Sequence, residues 1–393
     1  MNSKQVLNLL DKYEAQSCHP NYPIVWKNAI NDKIADIDGM TYIDFTSAIF
    51  VTNSGHSTIN EALTKQINTG LIYAYDYNTE IKALLAKTLV EMTPRFAEKV
   101  AFYSSGAEAV EIACKIMRRV GQVGWLAPNT TKRIIVSFAG SMHGKSYYTS
   151  LLKDNDSDTD IICNLLFPGT ITDEFHPLDD PEEIAGIMIE SYRGWDAKFM
   201  PKQYVQDLVK WAKENHILVC FDEVQGGFWR TGKMFAYQHY EVEPDMIVVG
   251  KGLGGGMPIS AVLGWKNLLD LCNDLTSTFS GHALCCAGAL ENLKILKSLK
   301  PKELHKRETI FREALQDIRS PLIKSIHCTG LIAGLVLPSK ILADKLCYKA
   351  LHRGLLIVQT GKESVKIGPP LTISISNLKA GLTILTNCIE ELK

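Results

Sequence analysis

Two charged residues end two apolar runs of this chain. Asp222 closes Ile217-Leu-Val-Cys-Phe221, and Lys251 follows Met246-Ile-Val-Val-Gly250, with Gly252-Leu-Gly254-Gly255-Gly256 behind it. Short apolar runs between turn signals read as buried strands, and a glycine-rich stretch lets backbone approach a ligand closely. A lysine in that setting is partly desolvated, so its amine loses a proton more readily and can attack a carbonyl to form a Schiff base. A carboxylate at the tip of a hydrophobic strand needs a cation to face. The two groups could simply pair or cap loops, which for either residue alone is the commoner outcome. They could also address the two ends of one cofactor, a pyridinium nitrogen and an aldehyde carbon, the protein handles of pyridoxal phosphate.

The elements that must hold this pair repeat a strand-then-helix pattern. Lys99-Val-Ala-Phe-Tyr103, Lys132 to Phe138, Ala185 to Ile189, Ile217 to Phe221 and Met246 to Gly250 read as strands. They run into SSGA, AGSMHG, ESYRG, DEVQ and GKG respectively. Every candidate chemical group therefore falls at a strand's carboxyl end, where a parallel sheet flanked by helices binds ligands. Between them, helices are expected over about 57–70, 79–93, 104–119, 201–215 and 283–299. The third is well signalled: Ala109, Ile112, Ala113, Ile116 and Val120 share one face, Glu108 and Glu111 stand near its start, and Lys115, Arg118 and Arg119 near its end. A strand ending in Ser104-Ser105-Gly106 at that helix N-terminus offers unpaired N–H groups and the positive end of a dipole to an anion. Taken alone, Ser104 or Ser105 is as well explained as an N-cap.

Two nucleotide-binding readings fail on context. Gly140 and Gly144-Lys145-Ser146 imitate a phosphate-wrapping loop, but three residues separate the glycines where four are required. Gly250-x-Gly252-x-x-Gly255 satisfies a dinucleotide string, yet Lys251 lies inside it.

FDEVQGGFWRTG followed by PDMIVVGKGLGGGMPISA resembles the signature of the class III (omega) aminotransferases, and the likeness extends over nearly the whole chain. It implies a fold type I pyridoxal-phosphate transferase, aspartate aminotransferase-like, α/β in class. A large, mostly parallel sheet domain would span 46–298, and a small α+β domain 1–45 and 299–393. Lys251 would hold the cofactor as an internal aldimine and shuttle a proton, and Asp222 would keep the pyridine nitrogen protonated. Ser105, Gly106 and Ala107 would cradle the phosphate, Val224 would pack on the ring, and Gln225 would reach its phenolic oxygen. Met142 stands where the family carries a ring-stacking aromatic, and a thioether makes a less rigid contact. Thr278 would reach the phosphate of a neighbouring subunit, so a homodimer with shared active sites is implied. Lys145, Glu190, Ser277 and Lys366 are the substrate candidates. Lys366 stands for an arginine that forks onto an α-carboxylate, and lysine offers only a point charge. Ser191 replaces a proline that usually follows the glutamate.

The implied reaction moves an amino group from an omega-amino acid or amine to a 2-oxo acid such as 2-oxoglutarate or pyruvate. The alternatives are a racemase, epimerase or aminomutase of the same superfamily, or a non-catalytic relative. Composition fits a soluble enzyme: 393 residues, 46% apolar and 22% charged, with a formal net charge of -1. That balance gives nucleic acid or an anionic membrane no electrostatic purchase. Ten scattered cysteines without a C-x-x-C pair, and no apolar run of membrane-spanning length, suit a cytoplasmic protein without metal ligands. Asp38-Gly39 between alternating residues marks a hairpin within 23–55, a polar insertion occupies roughly 154–180, and 325–337 reads as a strand.

Overall fold

Four apolar runs of the large unit, Ile184–Glu190, Leu218–Asp222, Met246–Val249 and Ser260–Gly264, are buried at every residue. Runs without polar alternation make strands covered on both faces, and that is their place in the computed structural model of the chain. The structure describes residues 1–18, 22–47, 51–94, 96–123, 132–153, 162–168, 173–272 and 274–392. Residues 154–161 and 169–172 of the polar insertion lie outside the described residues. The chain divides into two compact units, Thr58–Ser298 and the pair Met1–Ser57 with Leu299–Lys393.

The larger unit is built on a seven-stranded sheet: β1 (Lys99–Tyr103), β2 (Ile134–Phe138), β3 (Ile162–Leu165), β4 (Ile184–Glu190), β5 (Leu218–Asp222), β6 (Met246–Val249) and β7 (Ser260–Gly264). Their order across the sheet is β1-β7-β6-β5-β4-β2-β3. Neighbours from β6 to β3 are parallel, and β7 runs antiparallel to both β6 and β1. Register places Glu190 beside Asp222, and Asp222 beside Val248.

Helix α1 (Gly106–Gln122) covers β4, β6 and β7 with Ala109, Val110, Ala113, Ile116, Met117 and Val120, each at most 1% exposed. Full burial of a large aliphatic side chain stabilises by about 1.5–3 kcal/mol, which makes this face the main anchor of the helix. Its approach depends on Gly186 of β4, where an added Cβ would lie 2.2 Å from Met117 Sδ. Ser105 caps the helix, its Oγ accepting the Glu108 N–H at 3.2 Å, and Glu108 Oε2 accepts the Ser104 N–H at 2.9 Å.

The smaller unit carries two four-stranded sheets. The expected hairpin is Lys33–Asp36 with Thr41–Asp44. Asp36 closes it: Oδ1 accepts the N–H groups of Asp38 and Met40, and Oδ2 the Tyr42 hydroxyl. Trp26–Ile30 adds a third strand that reads poorly from sequence because almost all of it is exposed. The single strand expected over 325–337 is a hairpin, Ser325–Thr329 with Ile332–Val336, turning at Gly330 with φ 59°. Asn53 and Gly55 serve this unit structurally. Thr372 Oγ1 donates to Asn53 Oδ1 at 2.7 Å, and a Cβ on Gly55 would meet Ala29 O at 2.2 Å.

Candidate active site

The carboxyl ends of β1, β2, β4, β5 and β6 all lie along one edge of the sheet. Asp222 ends β5 with 3% of its surface exposed, and both of its oxygens are engaged. Oδ1 accepts the Val224 N–H at 3.0 Å, and Oδ2 lies 2.8 Å from His143 Nδ1. His143 is 3% exposed, and its Nε2 meets no partner among the described residues. A carboxylate facing an imidazole in a dry site is a charge held in one orientation, which is how a positioned anion keeps its strength. His143 is thus the residue that orients Asp222.

Lys251 follows β6 and is half-buried. Burial lowers its pKa, opposed by the nearby charges of Asp222 and then Glu190. The lysine side chain donates no hydrogen bond to a described residue, so its amine is held near two carboxylates without being tied to either.

The cradle at the start of α1 is assembled by its neighbours. Ser260 Oγ, on β7, donates to Ser105 O at 2.7 Å and fixes the turn into the helix. The N–H groups of Gly106 and Ala107 meet no acceptor among the described residues, as first-turn donors do not unless a cap or ligand supplies one. Val224 packs between this turn and the lysine segment. A Cβ on Gly106 would lie 3.0 Å from Val224 Cγ1, and one on Gly250 would lie 3.2 Å from the same atom and 3.7 Å from Gly106 Cα. Glycine at both positions brings the helix N-terminus, Val224 and the residue before Lys251 together.

Glu190 and Gln225 meet directly, Gln225 Nε2 donating to Glu190 Oε1 at 2.9 Å, and the Met142 N–H donates to Glu190 Oε2 at 3.0 Å. Ser191, the departure from proline, gives its hydroxyl to Glu223 Oε1, which also accepts the Tyr237 N–H while Oε2 accepts that of Ala236. Glu223 is fully enclosed, and burial pushes it up to about 7 against those donors.

Lys145 is exposed, three residues past Met142. Ser277 and exposed Thr278 stand in the loop before helix Ala283–Ser298, where Ser280 Oγ accepts the Ser277 N–H at 3.0 Å. Lys366 belongs to the smaller unit, on strand Ser364–Ile367, paired with Gly334 and Val358. Sequence reading passed over Ser260 and Glu223 because a serine opening an apolar strand and the second acid of a DE pair carry no local signal. Their partners are distant in sequence.

The family model described as Aminotransferase class-III matches residues 14–389. Acetylornithine aminotransferase of Caldanaerobacter subterraneus subsp. tengcongensis is 30% identical over 98% of this chain and 98% of its own length. Ornithine aminotransferase of Saccharomyces cerevisiae is 29% identical over 100% of this chain and 99% of its own. In fold, the chain is similar to the crystal structure of ornithine aminotransferase from Toxoplasma gondii, with TM-score 0.89 at 24% identity, covering 99% of this chain and 95% of that one. A lysine and a carboxylate at adjacent strand ends, within a sequence that matches the family almost end to end, have one consistent meaning: the chain belongs to the class-III aminotransferases and is a pyridoxal-phosphate-dependent transaminase.

Proposed function

We propose that the enzyme transfers the terminal amino group of a small omega-amino acid to a 2-oxo acid such as 2-oxoglutarate or pyruvate, with Lys251 and Asp222 as its catalytic pair. The observation that carries this reading is the desolvated amine of Lys251, which donates to no described residue, one strand away from a buried, doubly hydrogen-bonded Asp222. The surroundings suit pyridoxal phosphate. The N–H groups of Gly106 and Ala107, at a helix N-terminus, meet no acceptor among the described residues and match a phosphate, and Val224 supplies an apolar surface next to Gly106.

When bound, the cofactor supplies an aldehyde that takes up the donor's amino group and a ring that absorbs the electrons released when a C–H bond breaks. Lys251 would hold that aldehyde. Its lowered pKa leaves more of the amine unprotonated near neutrality, so it can take a proton from the donor carbon and return it elsewhere. Asp222, steadied by His143, holds a proton on the ring nitrogen. Ser105 orients the helix start; Gly106 and Ala107 would hold the phosphate, Met142 and Val224 would contact the ring, and Gln225 would serve its phenolic oxygen. Lys145, Ser277 and Lys366 are the donor-side candidates, and the names of the relatives favour ornithine-like donors.

We further propose a cytoplasmic homodimer in which Thr278 serves the partner's site. Support comes from an exposed apolar patch at Leu71, Ile72, Tyr73, Tyr75 and Phe279, where Phe279 adjoins Thr278 and its ring lies 5.2 Å from that of Tyr73. Patches of this kind mark interaction surfaces. Ten free cysteines favour a reducing compartment.

The test is a half-reaction screen of the cofactor-loaded protein with ornithine, N-acetylornithine and 4-aminobutyrate, followed by the cofactor's visible absorbance. A donor should bleach the band in one turnover and stop until a 2-oxo acid is added. Continued turnover of a donor without any 2-oxo acid would replace transamination by racemisation or amino migration.

A further inference from the structure

Glu190 ends β4 in register with Asp222, and 2% of its surface is exposed. Three N–H donors converge on its carboxylate: Met142 N at 3.0 Å, Gln225 Nε2 at 2.9 Å and the Gly194 backbone. A carboxylate has roughly four acceptor positions, so little is left for a substrate. The donors come from three segments, the turn after β2, the loop after β4 and the turn after β5. Gly194 preserves the room in which they meet. A Cβ there would lie 2.0 Å from Gln225 Nε2 and 2.6 Å from Glu190 Oε1.

We infer that Glu190 is a positioning residue, not a substrate ligand: it ties the Met142 turn and Gln225 to the end of β4, beside Asp222 on β5, and so sets how the cofactor ring is gripped. This rests on the reading of Lys251 and Asp222 as the catalytic pair. It differs from a packing role because all three partners are donors. The ionised carboxylate accepts from every one, whereas the protonated acid turns an O–H toward one of them and releases it.

The groups facing Glu190 are His143 from the turn after β2, Asp222 on β5, Lys251 beyond β6 and Tyr192 just past β4. Burial pushes its carboxyl up to about 7. Asp222 adds to that rise, and His143 and the Met142 and Gly194 N–H groups oppose it. The clamp is therefore complete above about 7 and loosens as pH falls through that value.

Glu190→Gln keeps shape and one carbonyl acceptor while removing the charge and the titration. In the cofactor-loaded enzyme, kcat should fall about tenfold or more while donor and acceptor KM stay within about twofold. The acid limb of the kcat profile near 7 should vanish. Fluorescence titration of the cofactor-free protein should show pyridoxal phosphate binding weakened about tenfold. Its infrared spectrum should lose a carboxyl band that grows in the unmodified protein below that pH. A raised KM with kcat kept would make Glu190 a substrate ligand and overturn the inference, as would an unchanged acid limb with normal cofactor binding. Failure of the underlying reading looks different: unmodified enzyme and Lys251→Ala would then share the same cofactor absorbance.

Discussion

Two lysines of the larger unit are taken out of water, and the protein treats them in opposite ways. Lys132, 3% exposed, donates to the carbonyls of Pro181, Ile184 and Asn215 at 2.9, 3.3 and 3.0 Å. Its ammonium has three N–H groups and all are used, which makes it a pin joining the starts of β2 and β4 to the end of helix Lys202–Glu214. Lys251 donates to no described residue and meets its carboxylates only through space. Burial lowers the pKa of both. Desolvation alone therefore does not mark a reactive amine. What separates the two is whether the fold has filled the donors: at Lys132 it has, and at Lys251 no described residue accepts from the amine, as its proposed role requires.

A pair of carboxylates repeats the contrast. Glu223 and Glu190 are both enclosed, and burial pushes both up to about 7. Glu223 binds Ser191, Ala236 and Tyr237, and so braces the turn behind β5. Glu190 binds Met142 and Gln225, residues proposed to touch the cofactor.

Exchanging the roles of these residues tests the contrast. Lys251→Ala should cost roughly ten-thousandfold or more in kcat/KM and abolish the cofactor's visible band while the melting temperature holds within a few degrees. Near-normal turnover would remove the distinction between the lysines. Lys132→Met should do the reverse, lowering unfolding free energy by about 2–4 kcal/mol in urea, because three buried carbonyls lose their donor. Its kcat/KM should stay within about twofold, and a large kinetic loss at full stability would give Lys132 a catalytic part.

The smallest effect is expected at Glu223→Gln. A carboxyl whose pKa is raised on folding contributes stability that is complete below its unfolded value and lost as pH rises through the folded one. Glu223 should thus weaken the fold between about 4.5 and 7. The glutamine variant should flatten that decline by on the order of 1–3 kcal/mol, and denaturation curves with unchanged slope would show that Glu223 is ionised in both states.

Much of the site was legible because its chemistry sits where hydrophobic patterning stops. Asp222, Lys251 and Glu190 each interrupt a run with no other reason to carry charge, and Ser105-Gly106 stands where a strand signal changes to a helix signal. The hairpin at Asp38-Gly39 was equally local, its turn closed by an aspartate two residues away. Long-range partners left no such trace. His143 is 79 residues from the carboxylate it steadies, and Ser260 is 155 from the carbonyl it holds. Phe228 and Trp229 both adopt φ 62°, a left-handed pair that nothing in the types of these residues announces. Bulky residues accept that conformation only when tertiary contacts impose it, and here both N–H groups donate to Met234 O.

The sequence by itself determined which charged groups stand at which strand ends, and so which are proposed for the chemistry, and to which family the chain is similar. Those facts follow from residue type and spacing along one segment at a time. Only the tertiary structure decided which of two desolvated lysines donates to no described residue, which imidazole faces Asp222, and that Glu190 is claimed by three donors. Each of these depends on segments brought together by the sheet order β6-β5-β4-β2, in which β2 and β4 are neighbours although β3 lies between them in the chain.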